Sequence, residues 1–90
     1  MGAVARAIER KLTLGLSPSA LRVVDDSARH AGHAGAREGG ESHFNVIVEA
    51  AAFAGLSRVR RQRLVHALLA DELAGPVHAL SLTTRAPGES

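Results

Sequence analysis

Cysteine is absent from this chain, as are tryptophan and tyrosine, and the aromatics are Phe44 and Phe53 alone. Without a thiol the chain forms no disulfide, offers no thiolate nucleophile and builds no all-cysteine metal site from its own residues. Any metal chemistry therefore falls to histidine or a carboxylate. With so few aromatics, and many alanines among the 46% of residues that are apolar, the core is expected to be thin and aliphatic. Ninety residues support one small domain, which buries a smaller fraction of its surface than a larger protein does. Charge of one sign is also scarce. Eleven basic and nine acidic residues leave a formal +2, too little for bulk attraction to nucleic acid or anionic lipid, so only local clusters can act. No apolar run reaches membrane-spanning length, and Arg6, Glu9, Arg10 and Lys11 interrupt the stretch where a secretory leader would be uniformly apolar. The expectation is a cytoplasmic protein with no membrane partner.

What is present divides into periodic segments. Val4, Ile8 and Leu12 recur every four residues with charges on the other side, which predicts an amphipathic helix stopped near Gly15. Pro18 in LSPS lacks an amide donor and forces a new element after it. ALRVVDD (20–26) and SHFNVIVEA (42–50) are short, β-branched and bounded by turn formers; the second alternates Phe44, Val46 and Val48 with His43, Asn45, Ile47 and Glu49. Both are expected to be strands. FAGLS (53–57) supplies a turn and Ser57 as an N-cap, and a helix follows from Arg58 to Ala74, with Val65, Leu68, Leu69 and Leu73 as its apolar stripe and Gly75-Pro76 as its stop. VHALSLTT (77–84) alternates again and reads as a third strand. The domain spans 1–84, and RAPGES (85–90) reads as a flexible C-terminal tail.

The order is therefore α-β-β-α-β, with room for a short extra turn or helix, and the class is α+β: a three-stranded mixed sheet with helices on one face. A strand–helix–strand connection makes the last two strands parallel, while the first two form an antiparallel hairpin. That topology has a consequence for the histidines. The hairpin connection lies where the second strand starts, and the third strand starts at the same end. His78 should then lie near His43 and near the loop histidines His30 and His33.

The segments DDSARHAGH, ESHFNVIV, FAGLSRVRRQRLVHALLADEL and PVHALSL, in this order and spacing from about Ile8 to Thr84, resemble the BolA family. The resemblance implies a fold similar to the class II KH domain and a protein without enzymatic activity. It implies a monothiol glutaredoxin as partner, sharing a [2Fe-2S] cluster, and in some members DNA binding and transcriptional regulation. One ligand implied by the family is the histidine of PVHAL, here His78. The other comes from the hairpin loop and is a histidine in the subgroup this cysteine-free chain resembles: His30, or alternatively His33. The remaining ligands would come from the glutaredoxin and a glutathione, so the isolated chain is expected to hold no cofactor. A neutral imidazole can ligate iron, and histidines in place of thiolates raise the potential of such a cluster. Because ligation needs the unprotonated ring, mild acid should weaken the assembly.

Other readings of the same residues stay open at this point. His78 beside Leu80 and Leu82 could equally be a half-buried structural residue, His43 a hydrogen-bonding residue that orients the loop, and His66 a surface or packing residue. His30-Ala-Gly-His33 invites zinc, but a zinc enzyme needs a third protein ligand with an open position, and the helical motif with a catalytic glutamate is absent. Arg58, Arg60, Arg61 and Arg63 crowd the start of the second long helix, where the helix dipole is already positive, and an anion such as a DNA phosphate would offset their repulsion. The alternative is a solvated face neutralised by Asp71, Glu72 or the C-terminal residues. An RNA clamp of the KH kind fits poorly, because FAGLS is not a GXXG loop and stacking aromatics are missing. A weak homodimer is neither required nor excluded by the sequence.

Overall fold

The computed structural model describes residues 2–27 and 40–89. Helix α1 runs Ala3–Leu16, strands β1 and β2 run Ala20–Asp25 and His43–Glu49, a single 3-10 turn covers Ala51–Phe53, helices α2 and α3 span Arg58–Leu68 and Ala70–Ala74, and strand β3 runs Ala79–Arg85. The sheet order is β1-β2-β3, with β1 antiparallel and β3 parallel to the central strand. This is the mixed three-stranded α+β arrangement that the alternating segments predict.

Alternation in β2 sends Phe44, Val46 and Val48 to the helix side, where all three are buried, while Asn45, Ile47 and Glu49 are half-buried on the other face. Ala5, Ile8, Leu12 and Leu16 form the buried stripe of α1, and Phe53, Val65 and Leu69 complete the core from the second half of the chain. Ile8, Leu12 and Phe53 are fully enclosed, and each such side chain contributes roughly 1.5–3 kcal/mol when buried. Both phenylalanines and a set of aliphatic side chains therefore hold the centre.

Helix α1 stops near Gly15 as expected, at Leu16, and is closed by Ser17 at φ 45, whose amide donates to Thr13 O. Gly15 also permits close approach: a Cβ there would meet Leu68 Cδ2 at 2.7 Å. Two boundaries differ from expectation. The helix expected over 58–74 is two helices, separated at Leu69 with φ −104 and ψ 20. Neither Gly nor Pro marks that break, so periodicity runs through it. Leu69 stays buried, and α3 brings Glu72 to Lys11, whose Nζ donates to Glu72 Oε2 at 2.8 Å. Finally, β3 extends through Arg85, Ala86 is buried, and Glu89 bonds back to α2, contacts that differ from a loose tail at 85–90.

A candidate site at the head of the sheet

The site is built on the end of the sheet where β2 and β3 both begin. The register pairs His43 with Ala79, so His78 lies one residue before the parallel ladder, beside Ser42. The amides of His78 and Ala79 both donate to Ser42 O, at 2.8 and 3.2 Å. The His78 residue is exposed, which removes the half-buried structural reading. His43 is buried at the same end, with Nδ1 2.8 Å from Ser42 Oγ, so it is a hydrogen-bonding residue there.

The hairpin base is closed by a polar cluster that sequence reasoning missed. Ser27 and Ser42 are buried, and Ser27 Oγ accepts from the amides of Ser42 at 2.9 Å and His43 at 3.1 Å. Asp25 reaches across the base: Oδ1 accepts from the Ser27 amide and Oδ2 from the Glu41 amide, both at 3.0 Å. Burial pushes the Asp25 carboxyl upward, but the bonds from Ser27 and Glu41 and the nearby His43 outweigh it and hold it below its ordinary value of 3.8. Gly40 and Glu41 turn the chain with φ 81 and 64. The Glu41 carboxylate then accepts from the Ala5 amide at 3.0 Å, supplying an anion to the otherwise uncapped start of α1. Asp25-Asp26-Ser27 carries the composition of a turn, but the pairing of two serines across the hairpin has no local signature.

His30 and His33 lie outside the described residues. The described residues on either side of them, Ser27 and Gly40, lie at the same sheet end as His43 and His78. Among the described residues no three histidines, aspartates or glutamates are grouped to hold a metal ion.

The arginines separate into two kinds. Arg58, Arg60 and Arg63 are exposed and form no ion pair with described residues. Arg61 is engaged: Nε donates to Leu56 O at 2.9 Å, the guanidinium lies 5.9 Å from the centre of the Phe53 ring, and both Nη atoms bond Glu89. Of the neutralising partners considered for this face, the C-terminal Glu89 reaches Arg61 alone. Asp71 and Glu72 turn to Lys11 instead. Ser57 caps α2 as expected, accepting from the Arg60 amide at 3.2 Å. His66 is exposed on the same helix.

These features define a small α+β domain that presents exposed histidine and arginine surfaces. A family model described as BolA-like protein matches residues 12–89. The chain belongs to the BolA-like protein family. It is 46% identical over 89 residues to BolA-like protein 1 of Homo sapiens, covering 99% of this chain and 62% of that protein. The chain thus spans less than two thirds of the length of those curated relatives. It is also 46% identical over 77 residues to the DNA-binding transcriptional regulator BolA of Vibrio cholerae serotype O1, covering 86% of this chain and 69% of that protein. Among solved structures, the BolA domain of SufE1 from Arabidopsis thaliana superposes with a TM-score of 0.90 at 42% identity, covering 100% of this chain and 99% of that one. The relatives carry the names of BolA-like proteins, a SufE-like protein and a regulator.

Proposed function

We propose that this chain is a non-enzymatic cytoplasmic adaptor that binds a monothiol glutaredoxin and co-ligates a [2Fe-2S] cluster through His78 and a loop histidine, His30 or His33. The observation that carries this reading is the exposed His78 held by Ser42 at the hairpin base. A solvent-facing imidazole next to an incomplete donor set suits a shared group better than a resident one. Such clusters take four terminal ligands, and this chain would supply two imidazoles. Glutaredoxin and glutathione thiolates would supply the others, making cluster and partner binding one event. Iron–sulfur trafficking or iron sensing is the role this chemistry serves.

The experiment mixes the full chain with glutathione-loaded monothiol glutaredoxin and iron. Visible absorption and circular dichroism should differ from those of glutaredoxin alone, and His78→Ala should abolish the difference. Superposable spectra with and without the chain would end this reading.

A second reading has its own observation in its favour. Arg58, Arg60 and Arg63 stand exposed around the start of α2, and a relative bears the name of a DNA-binding transcriptional regulator. On this reading α2 contacts DNA phosphates, and affinity falls as salt rises. A gel-shift titration at two salt concentrations tests it, because Arg60→Ala/Arg63→Ala should weaken binding most at low salt. Equal binding by wild type and variant would remove this face from DNA recognition.

A further inference from the structure

With β2 at the centre of the sheet, β3 forms one of its two edges. Bonds at either end of the parallel ladder fix which backbone groups of β3 serve β2: the Ala79 amide donates to Ser42 O, and the Ala50 amide donates to Arg85 O. In a parallel pair alternate residues make these bonds, so the odd-numbered residues of β3 face β2. Leu80, Leu82 and Thr84 therefore turn their amides and carbonyls outward, and no hydrogen bond from a described residue outside the sheet reaches them. A free edge invites another strand, and proteins commonly discourage this with charge or proline along it. The other edge, β1, carries Arg22 and Asp25. From Ala79 to Thr84, β3 has neither a charge nor a proline, and Arg85 at its end is paired with Glu49 at 2.8 Å.

Beside this edge lies a groove of about 230 Å3, lined by Arg58, Leu82, Thr83 and Thr84. Leu82 and Thr84 are half-buried, while Arg58 is exposed and has no ion pair among the described residues. These features specify the occupant. Outward amides and carbonyls at every second residue take an extended backbone, and an unpaired guanidinium beside them takes a carboxylate. A second copy of β3 offers none, because its seven residues include no Asp or Glu. We propose that the outer edge of β3 is a docking site for an extended acidic peptide, which adds a fourth strand to the sheet and sets a carboxylate on Arg58. The site uses neither the imidazole of His78 nor Arg60 and Arg63, so it stands or falls apart from the adaptor and DNA readings.

The probe is a peptide of about eight residues alternating valine and glutamate, the length of an ordinary strand, with a control in which lysine replaces glutamate. Added to the isotope-labelled full chain, the glutamate peptide should shift the amide resonances of Leu80, Leu82 and Thr84 and slow their hydrogen exchange, while the amides of β1 hold. Its advantage over the lysine peptide should fade as salt rises. Thr84→Pro removes an outward donor and no bond to β2, so it should keep the fold and weaken binding about tenfold. Arg58→Glu should reverse the preference in favour of the lysine peptide, and it carries the test if Thr84→Pro does not fold. No shift at β3, equal binding of the two peptides, or wild-type affinity in a folded Thr84→Pro overturns strand addition. Shifts at β3 that grow with protein concentration before any peptide is added assign the edge to a second copy and overturn the acidic occupant.

Discussion

Arg61 grips Glu89 with both arms of its guanidinium, Nη1 to Oε1 at 2.6 Å and Nη2 to Oε2 at 2.7 Å. The same carboxylate accepts from the Ala86 amide at 2.9 Å, so the chain after β3 folds back on the start of α2. Paired geometry of this kind is the strong form of an ion pair. It leaves the four arginines of α2 unequal, three open to solvent and one committed to the fold.

Acid stability follows from that grip. Bonds from Arg61 first, and then from the Ala86 amide, hold the Glu89 carboxyl at about 2, below its ordinary 4.5. A carboxyl depressed in the folded state contributes stability that is complete above its unfolded value and disappears as pH falls through the folded one. Glu89→Gln should therefore melt at a lower temperature than wild type at pH 7. The gap should close between pH 4.5 and about 2, as a series of thermal melts across that range would show. A gap independent of pH would mean that the grip contributes nothing through charge.

The inequality of the arginines separates stability from binding. Arg61→Ala should lower the urea midpoint, because it releases Glu89, the Leu56 carbonyl and the contact with Phe53. Arg60→Ala/Arg63→Ala should leave the unfolding free energy within about 0.5 kcal/mol of wild type, the usual range for exposed positions. Urea titrations of the two variants side by side decide this.

His78→Ala should be structurally quiet as well. The residue is exposed, and it is held through its main-chain amide, which alanine keeps. A stability change below about 0.5 kcal/mol is expected, measured by urea titration of the isolated chain. The variant's loss of the mixed-cluster spectrum could then be read as loss of a ligand.

Glu41→Ala should cost about 1 kcal/mol, the ordinary value of a helix cap. Its carboxylate serves the Ala5 amide across the molecule, at the start of a helix whose own cap residue, Gly2, has no side chain to offer. Amide exchange at Ala5 should quicken more than at Leu12, distinguishing fraying of the first turn from general loss of stability.

Much of the architecture was legible before any coordinates. Period-two alternation in 42–50 and 77–84 requires half-buried strands, because only that spacing puts Phe44, Val46 and Val48 on one side. Ser57 announced α2 through an effect that operates within one turn. The break at Leu69 was not legible, since no Gly or Pro marks it and the apolar spacing continues across it. The second role of Gly15 was hidden for a related reason: a glycine near a helix end looks the same in sequence whether or not it also admits a side chain such as Leu68.

At the candidate site, the sequence by itself determined the ligand chemistry on offer, imidazole and carboxylate without thiolate, and the topology that brings His43 and His78 to one end of the sheet. Both follow from composition and short-range periodicity, which need no knowledge of distant contacts. Only the tertiary structure decided which side chains stand free: Arg61 is taken by Glu89 while Arg60 and Arg63 are not, and Ser27 is spent on the amides beside it. Such pairings join residues far apart along the chain, and their strength depends on angles and burial that no local pattern of residues encodes.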